Sequence, residues 1–303
     1  MNWDFLNGLD DYIKMKRYRL VNSVLVYDNN ELVFERYYNK FNQNSRNQIK
    51  SVWKSILSLT LGICLDKGLI QSIDEPICRY LEQFNENNYP YHKMITIKNL
   101  LTMSSGIYWN GGVHYHCPML EQMRRSKNWT SHIADIQMAD LPGTKFVYKE
   151  WDVILLSALI GKVCGGSTWN FCNEYLYKPL EIASDKWTQS KSGVDYPSWG
   201  EDVTSDLSAR DMAKIGLLLL NNGKWGKQQL ISNEYIQNAV SPSQAYSDYG
   251  FLFWLSENGY HGRGYSGQEL NIYPDKNIVA IIQASVSPSS KSYPDICENI
   301  IKN

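Results

Sequence analysis

Ser51 and Lys54 are spaced so that together they could carry out nucleophilic catalysis, and Ser51-Val52-Trp53-Lys54 is the one S-x-x-K match in the chain. Residues three apart on a helix share a face, so the Lys54 amine can reach the Ser51 hydroxyl. Burial lowers the pKa of a lysine, and a neutral lysine beside a serine is a general base that activates it. The spacing therefore permits a serine nucleophile with a lysine partner.

The helix that would carry this pair, residues 51–67, is apolar on more than one face, which predicts that it is buried. An ammonium inside such a helix is unfavourable unless it is paired or neutralised. Ser51 would open the helix, where backbone N–H groups and the positive end of the helix dipole stabilise a developing oxyanion. The alternative is that Ser51 only caps the helix and that Lys54 extends its ammonium into solvent.

Strand patterns lie near both ends of the chain, and helical patterns lie between them. Apolar and polar residues alternate on both sides of Asp28-Asn29-Asn30, which predicts a β-hairpin. Further strands are predicted at 249–255, 269–274 and 277–285. Helices are predicted at 4–16, 51–67, 96–103, 151–164, 168–177, 208–222 and 293–302. We expect an α+β fold whose antiparallel sheet is built from both chain termini, with a mainly helical region inserted between them.

Composition excludes several classes of protein. The 303 residues include 30 basic and 31 acidic side chains, with no run of five like charges, so we expect no nucleic-acid partner. The six cysteines form no C-x-x-C pair. The N-terminus has early acidic residues and no continuous apolar stretch, and no apolar segment reaches the length of a membrane span. We therefore expect a cytoplasmic protein with free thiols and no membrane association.

Five segments resemble those of a known family, in the family's order. They are SVWKS…LGICLDKGLI…DEPICRYL from residue 51, TIKNLLTMSSGIYW (96–109), LPGTKFVYKEWDVILLSALI (141–160), LSARDMAKIGLLLLNNGKW (207–225) and HGRGYSGQELNIYP (261–274). S-x-x-K is also the first motif of penicillin-binding proteins and serine β-lactamases. The chain thus resembles the class C β-lactamase-like, penicillin-binding-protein-like serine hydrolases, a group that includes D,D-peptidases, esterases and amidases of the 6-aminohexanoate-dimer hydrolase type.

The resemblance implies a β-lactamase/transpeptidase-like fold in a single domain over residues 1–303. The sheet region would comprise about 1–50 and 245–303, and the mainly helical region about 51–244. It also implies that Ser51 is the nucleophile, Lys54 its partner, and Tyr148 the residue that relays a proton between nucleophile and leaving group. Local sequence alone favours a structural tyrosine in a loop that begins a helix, and only the family resemblance favours the catalytic role. No metal or organic cofactor is implied.

Glu150 departs from the family pattern, because the family usually has asparagine two residues after the tyrosine. A carboxylate there could cap the next helix or pair structurally with a neighbour, could receive a substrate ammonium, or could keep Lys54 charged and spoil it as a base. The third motif is also altered. Either His261-Gly262-Arg263 or Gly262-Arg263-Gly264 occupies its place, so His261, Gly262 and Gly264 are candidate substrate-binding residues.

The loop that begins Tyr108-Trp109-Asn110-Gly111-Gly112 is predicted to form a rim of the pocket, where Trp109 would contact an apolar acyl group. The His-Tyr-His-Cys run at 114–117 invites a metal site. It lies in a predicted loop without a second cluster of ligands, and a zinc site needs three or four converging ligands. We therefore expect no metal.

These residues predict a serine hydrolase that cleaves a small ester, amide or peptide bond through an acyl-enzyme on Ser51. The alternative is a catalytically impaired member that acts as a ligand-binding or penicillin-binding protein. The position of the Lys54 amine discriminates between the enzyme and the binding protein. Reach to both Ser51 and Tyr148 favours the enzyme, whereas a Glu150 contact that holds Lys54 away from Ser51 favours the binder.

Overall fold

The computed structural model of the protein describes residues 1–85, 89–111, 117–198, 204–287 and 291–302. Its α-helices are α1 (Trp3–Asn7), α2 (Leu9–Lys16), α3 (Val52–Asp66), α4 (Ile97–Leu101), α5 (Pro118–Arg125), α6 (Trp129–Ala134), α7 (Glu150–Val163), α8 (Thr168–Cys172), α9 (Ala209–Leu220), α10 (Asn233–Ala239) and α11 (Pro294–Ile301). None of the helices in these ranges is both long and apolar enough to cross a membrane.

The strands are β1 (Val21–Asp28), β2 (Glu31–Tyr37), β3 (Arg46–Gln48), β4 (Asp206–Ser208), β5 (Lys224–Trp225), β6 (Gln228–Gln229), β7 (Trp254–Ser256), β8 (Gly259–Gly264), β9 (Gln268–Tyr273) and β10 (Ile278–Ala284). Six of them form one sheet in the order β2-β1-β10-β9-β8-β7, and every neighbouring pair is antiparallel. This confirms the predicted α+β fold, with a sheet built from both chain termini.

The first hairpin turns at the predicted residues. Asn29 and Asn30 both have positive φ angles, of 49° and 68°. Two consecutive positive φ angles are the conformation that two-residue hairpin turns prefer, and asparagine adopts it at low cost.

The sheet is covered on both faces. Along β1, Leu25 faces the main core, whereas Val24 and Val26 face a second cluster that includes residues of α1, α2 and α11. On the main-core face, α9 packs across β9 and β10, and α3 packs against β8. The two-residue period of a strand thus separates the terminal helices from the inserted helical region.

Helix α3 is buried along most of its length, as its sequence predicts. Its residues from Val52 to Cys64 are buried. Two hydroxyl groups among them are hydrogen-bonded to backbone carbonyls, since Ser55 Oγ donates to Leu252 O at 2.8 Å and Thr60 Oγ1 donates to Ile56 O at 2.8 Å. The helix therefore passes through the core without unpaired hydroxyls at these two positions.

Three predicted elements differ from the structure. The helix predicted at 4–16 is divided at Gly8 into α1 and α2. The strand predicted at 249–255 is confined to β7, because Leu252 takes a left-handed φ of 63° that an extended strand cannot contain. The helix predicted at 168–177 is α8 followed by a π-helical turn over Asn173–Tyr177.

Candidate active site

Ser51 lies immediately before α3, and its hydroxyl does not cap the helix. The Ser51 backbone is helical, with φ −66° and ψ −5°, and its side chain makes no capping hydrogen bond. Ser51 Oγ instead accepts a hydrogen bond from Lys54 Nζ at 3.0 Å. Lys50, just before it, has a positive φ of 50°, a conformation that costs about 1–3 kcal/mol and is typical of functional turns.

Lys54 does not reach solvent, because its side chain is only 2% exposed. Its ammonium lies 2.7 Å from Glu150 Oε1 as well as 3.0 Å from Ser51 Oγ. It also lies 5.0 Å from the centroid of the Tyr148 ring. The structure thus brings Ser51, Lys54, Tyr148 and Glu150 together and excludes the alternative of a capping serine beside a solvent-exposed lysine.

Glu150 begins α7, and both of its carboxylate oxygens are engaged. Oε1 accepts from Lys54, and Oε2 accepts a 2.5 Å hydrogen bond from the Tyr196 hydroxyl. Tyr196 is itself buried and packs edge-on against Trp53 at a centroid distance of 5.4 Å. Tyr196 was not among the residues that the sequence predicted, since it lies 46 residues from Glu150 in a segment without a recognisable motif.

The charge of Lys54 is set by these neighbours. Burial by itself lowers the pKa of Lys54, but the Glu150 carboxylate and Tyr148 outweigh burial, and the pKa is raised above its ordinary value. Lys54 is therefore an ammonium at neutral pH. This corrects the expectation that burial leaves Lys54 neutral and able to accept the Ser51 proton directly.

A second buried ion pair fixes the backbone around Tyr148. Lys149 Nζ lies 3.2 Å from Asp152 Oδ2, and the two side chains are 1% and 0% exposed. Asp152 also accepts a 2.5 Å hydrogen bond from Ser105 Oγ. Burial raises the pKa of Asp152, although Lys149 acts in the opposite direction. Tyr148 and Glu150 thus flank a residue that is anchored in the core.

An aromatic wall adjoins Tyr148. The Tyr148 ring stacks on Trp254 at 5.6 Å with an interplanar angle of 26°. Phe146 contacts Trp254 and Tyr246, and the Tyr246 side chain is 39% exposed. These rings extend from Tyr148, the predicted proton relay, to the exposed Tyr246, so they form an apolar patch beside Tyr148.

Two glycines of β8 face the start of α3. A Cβ at Gly262 would lie 3.1 Å from Ser55 Oγ, and a Cβ at Gly264 would lie 2.3 Å from the Ile49 carbonyl oxygen. The pairing of β7 with β8 ends at Trp254 and His261, so β7 does not cover the part of β8 that follows. The backbone of β8 therefore approaches the start of α3 closely, along an edge where a substrate could pair.

His261 points away from this site, which corrects its prediction as a substrate contact. Its ring hydrogen-bonds to Asn271 Oδ1 and Ser256 Oγ, each at 2.7 Å. Asn271 in turn donates to Cys297 Sγ of α11, so His261 lies on the sheet face that the terminal helices cover. Burial lowers the pKa of His261 to about 4. Adjacent strand residues alternate in direction, so His261 and Gly262 cannot both face Ser51.

Trp109 is partly buried and packs edge-on against Trp151, at a centroid distance of 4.8 Å. Trp151 directly follows Glu150, so Trp109 packs against the residue next to Glu150. Gly112 and both histidines of the 114–117 run fall outside the described residues. In the part of the chain that is described, no group of three or more His, Cys, Asp or Glu side chains could hold a metal ion.

Comparison with known proteins defines the family. The chain belongs to the Beta-lactamase family, whose sequence model matches residues 10–298. An uncharacterized protein from Alkalihalophilus pseudofirmus is 24% identical over 303 residues, covering 86% of this chain and 82% of that protein. The resemblance noted in the sequence is thereby confirmed.

Solved structures show the same fold. A protein from Bacteroides dorei DSM 17855, assigned as a β-lactamase, superposes with a TM-score of 0.79 at 16% identity, covering 99% of this chain and 98% of that one. EstCE1, described as a hydrolase with promiscuous acyltransferase activity, gives a TM-score of 0.76 at 13% identity, with the same coverage. The β-lactamase/transpeptidase-like fold is confirmed, and membership of the family supports a hydrolase function in general.

Proposed function

We propose that the protein is a serine hydrolase that cleaves a small ester, amide or peptide bond through an acyl-enzyme on Ser51. One observation carries the proposal. The Ser51 hydroxyl lies at the start of a buried helix and is held by the ammonium of Lys54, with Tyr148 beside that ammonium. A capping serine or a solvent-exposed lysine would not need this arrangement.

In this mechanism, Ser51 Oγ attacks the carbonyl carbon of the substrate and its proton passes to the Tyr148 oxygen, while Lys54 stays charged. In this proposal Tyr148 accepts the proton as its phenolate, with the Lys54 ammonium beside its ring. Tyr148 then returns the proton to the leaving group as the bond to the carbonyl carbon breaks. Water hydrolyses the acyl-enzyme by the reverse proton path and releases the acid.

The negative charge on the carbonyl oxygen would be stabilised at two places. The backbone N–H of Ser51 is at the positive end of α3, and an N–H of β8 beyond His261 would supply the second donor. The close approach of Gly262 and Gly264 to the start of α3 supports this assignment.

The surroundings of Ser51 favour a substrate with an apolar group. Trp254, Phe146 and Tyr246 line the side of Tyr148, the residue that meets the leaving group in this mechanism. Glu150 is a weaker candidate for binding a substrate ammonium, because Lys54 and Tyr196 engage both of its oxygens.

A non-catalytic ligand-binding role is the second candidate, and the ion pair of Lys54 with Glu150 is what favours it. Glu150 does not hold Lys54 away from Ser51, however, since Lys54 Nζ contacts both side chains at 2.7 and 3.0 Å. Lys54 Nζ thus reaches Ser51, and the centroid of the Tyr148 ring lies 5.0 Å from the same atom. These two contacts are what support the enzyme over the binding protein.

Labelling with a fluorophosphonate tests the proposal. We expect one adduct on the wild-type protein, mapped to the Ser51 peptide, and none on Ser51→Ala. Ser241→Ala, which alters an exposed serine, is the matched control and should label like the wild type. A folded wild-type protein that neither labels nor hydrolyses p-nitrophenyl esters, amino acid amides or β-lactams would favour the binding protein.

A further inference from the structure

Tyr196, Glu150 and Lys54 form a continuous chain of hydrogen bonds that ends on Ser51. Tyr196 donates to Glu150 Oε2 at 2.5 Å, Glu150 Oε1 accepts from Lys54 at 2.7 Å, and Lys54 donates to Ser51 Oγ at 3.0 Å. The Lys54 and Glu150 side chains are 2% and 16% exposed, and Tyr196 is 2% exposed. Each link is short, and each is shielded from water.

We propose that Glu150, oriented by Tyr196, is a positioning residue that keeps Lys54 as an ammonium fixed on the Ser51 oxygen. This inference rests on the proposed hydrolase function and assigns a role to two residues that do not themselves touch the reacting bond. Glu150 supplies the charge, and Tyr196 supplies the orientation of the carboxylate.

Lys54 has one carboxylate partner in this chain of contacts, and that partner explains its charge. A buried ammonium without a partner would lose its proton, whereas an opposite charge within hydrogen-bond distance favours the charged form. The first turn of α7 places Glu150 across from Lys54 on α3, and the Lys149–Asp152 ion pair holds that turn in the core.

Tyr196 suits an orienting role because its hydroxyl remains a donor. Burial and the nearby carboxylate raise the pKa of Tyr196 well above its ordinary value. The ring is fixed by edge contacts with Trp53 and Trp129, at centroid distances of 5.4 and 6.1 Å. Trp53 adjoins Lys54 on α3, so the same packing that fixes Tyr196 also fixes the helix that carries the lysine.

Two substitutions separate the charge from the orientation. Glu150→Gln keeps the size of the side chain and a hydrogen-bond partner for Tyr196 but removes the charge. Tyr196→Phe removes the orienting hydrogen bond and leaves the charge. Tyr235→Phe is the matched control, because Tyr235 is also buried and its hydroxyl bonds to Ser58 on α3, further along the helix than Lys54.

The measurement is the pH dependence of the fluorophosphonate labelling rate. Lys54 must stay charged, and without the Glu150 carboxylate it should lose its proton at a lower pH. Glu150→Gln should therefore shift the alkaline limb of the profile to lower pH, by about 1–3 pH units. Tyr196→Phe should label more slowly than the wild type, but its alkaline limb should stay at the wild-type pH. Tyr235→Phe should match the wild-type rate. A folded Glu150→Gln protein with the wild-type profile would overturn the proposal, as would faster labelling of Glu150→Gln or Glu150→Asn at every pH.

A second measurement distinguishes failure of this inference from failure of the proposed hydrolase function. The ¹³Cε chemical shift of Lys54, assigned by comparison with Lys54→Arg, reports its titration whether or not Ser51 reacts. A lower titration midpoint in Glu150→Gln than in the wild type supports the charge role of Glu150 even for an unreactive serine. An unchanged midpoint overturns it.

Discussion

Replacing Gly264 by alanine should separate the two elements that form the proposed oxyanion site. A Cβ at position 264 would lie 2.3 Å from the carbonyl oxygen of Ile49, two residues before Ser51. Ordinary van der Waals contact begins at 3.4 Å, so β8 and the Ser51 turn must move apart by 1.1 Å. The obstacle is a backbone atom, which cannot rotate away as the end of a side chain could.

The expected effect on catalysis follows from that displacement. A misplacement of about 1 Å at an active site lowers the rate by about 100-fold. This corresponds to about 2.7 kcal/mol of lost transition-state stabilisation. The φ of Gly264 is not left-handed, so the loss would come from the collision and not from backbone strain.

The assay is kcat/KM for a p-nitrophenyl ester, together with the fluorophosphonate labelling rate and the thermal unfolding midpoint. Gly262→Ala should lose less activity, because its Cβ would lie 3.1 Å from the Ser55 hydroxyl and 3.3 Å from a Val52 methyl group. Gly166→Ala, where nothing lies within 4 Å, controls for the glycine substitution itself. A folded Gly264→Ala protein with wild-type kcat/KM would refute the role given to β8.

Three further predictions concern stability. Lys149→Met leaves the buried Asp152 carboxyl without its ion-pair partner and should lower the free energy of unfolding by about 3–5 kcal/mol in urea titrations, and adding Asp152→Asn should recover most of that loss. Gly216→Ala places a Cβ 2.5 Å from Val279 Cγ1 and should cost about 1–3 kcal/mol; a more stable variant would contradict the packing of α9 on β10. Burial raises the pKa of Glu269 from 4.5 to about 7, so the folded state holds a proton that the unfolded chain releases above 4.5. Stability should therefore fall by about 3 kcal/mol as the pH rises from 4.5 through 7, and Glu269→Gln should lack this pH dependence.

The contacts that follow from local spacing were predictable from the sequence. Ser51 and Lys54 lie three residues apart on one helix, so their contact required only that the helix form. Asn29 and Asn30 identified the first hairpin turn, and the placement of strands at both ends of the chain predicted the sheet. The family resemblance added Tyr148, which has no local signal that separates it from other tyrosines.

Contacts that depend on distant packing or on strand direction were not predictable. Tyr196 meets Glu150 across 46 residues, and no motif surrounds it that could have revealed this contact. The charge of Lys54 depends on the position of Glu150, so helix burial alone predicted the wrong protonation state. His261 was misplaced because a shift of one residue along a strand reverses the face to which a side chain points.

The most direct test of the Ser51 mechanism is intact-protein mass measured after rapid acid quenching of the wild-type protein with a p-nitrophenyl ester that it hydrolyses. We expect a transient species heavier by one acyl group, with the acyl group on the Ser51 peptide, and we expect its absence in Ser51→Ala. Release of p-nitrophenol without acylation of Ser51, or with the acyl group on another residue, would contradict the proposed mechanism.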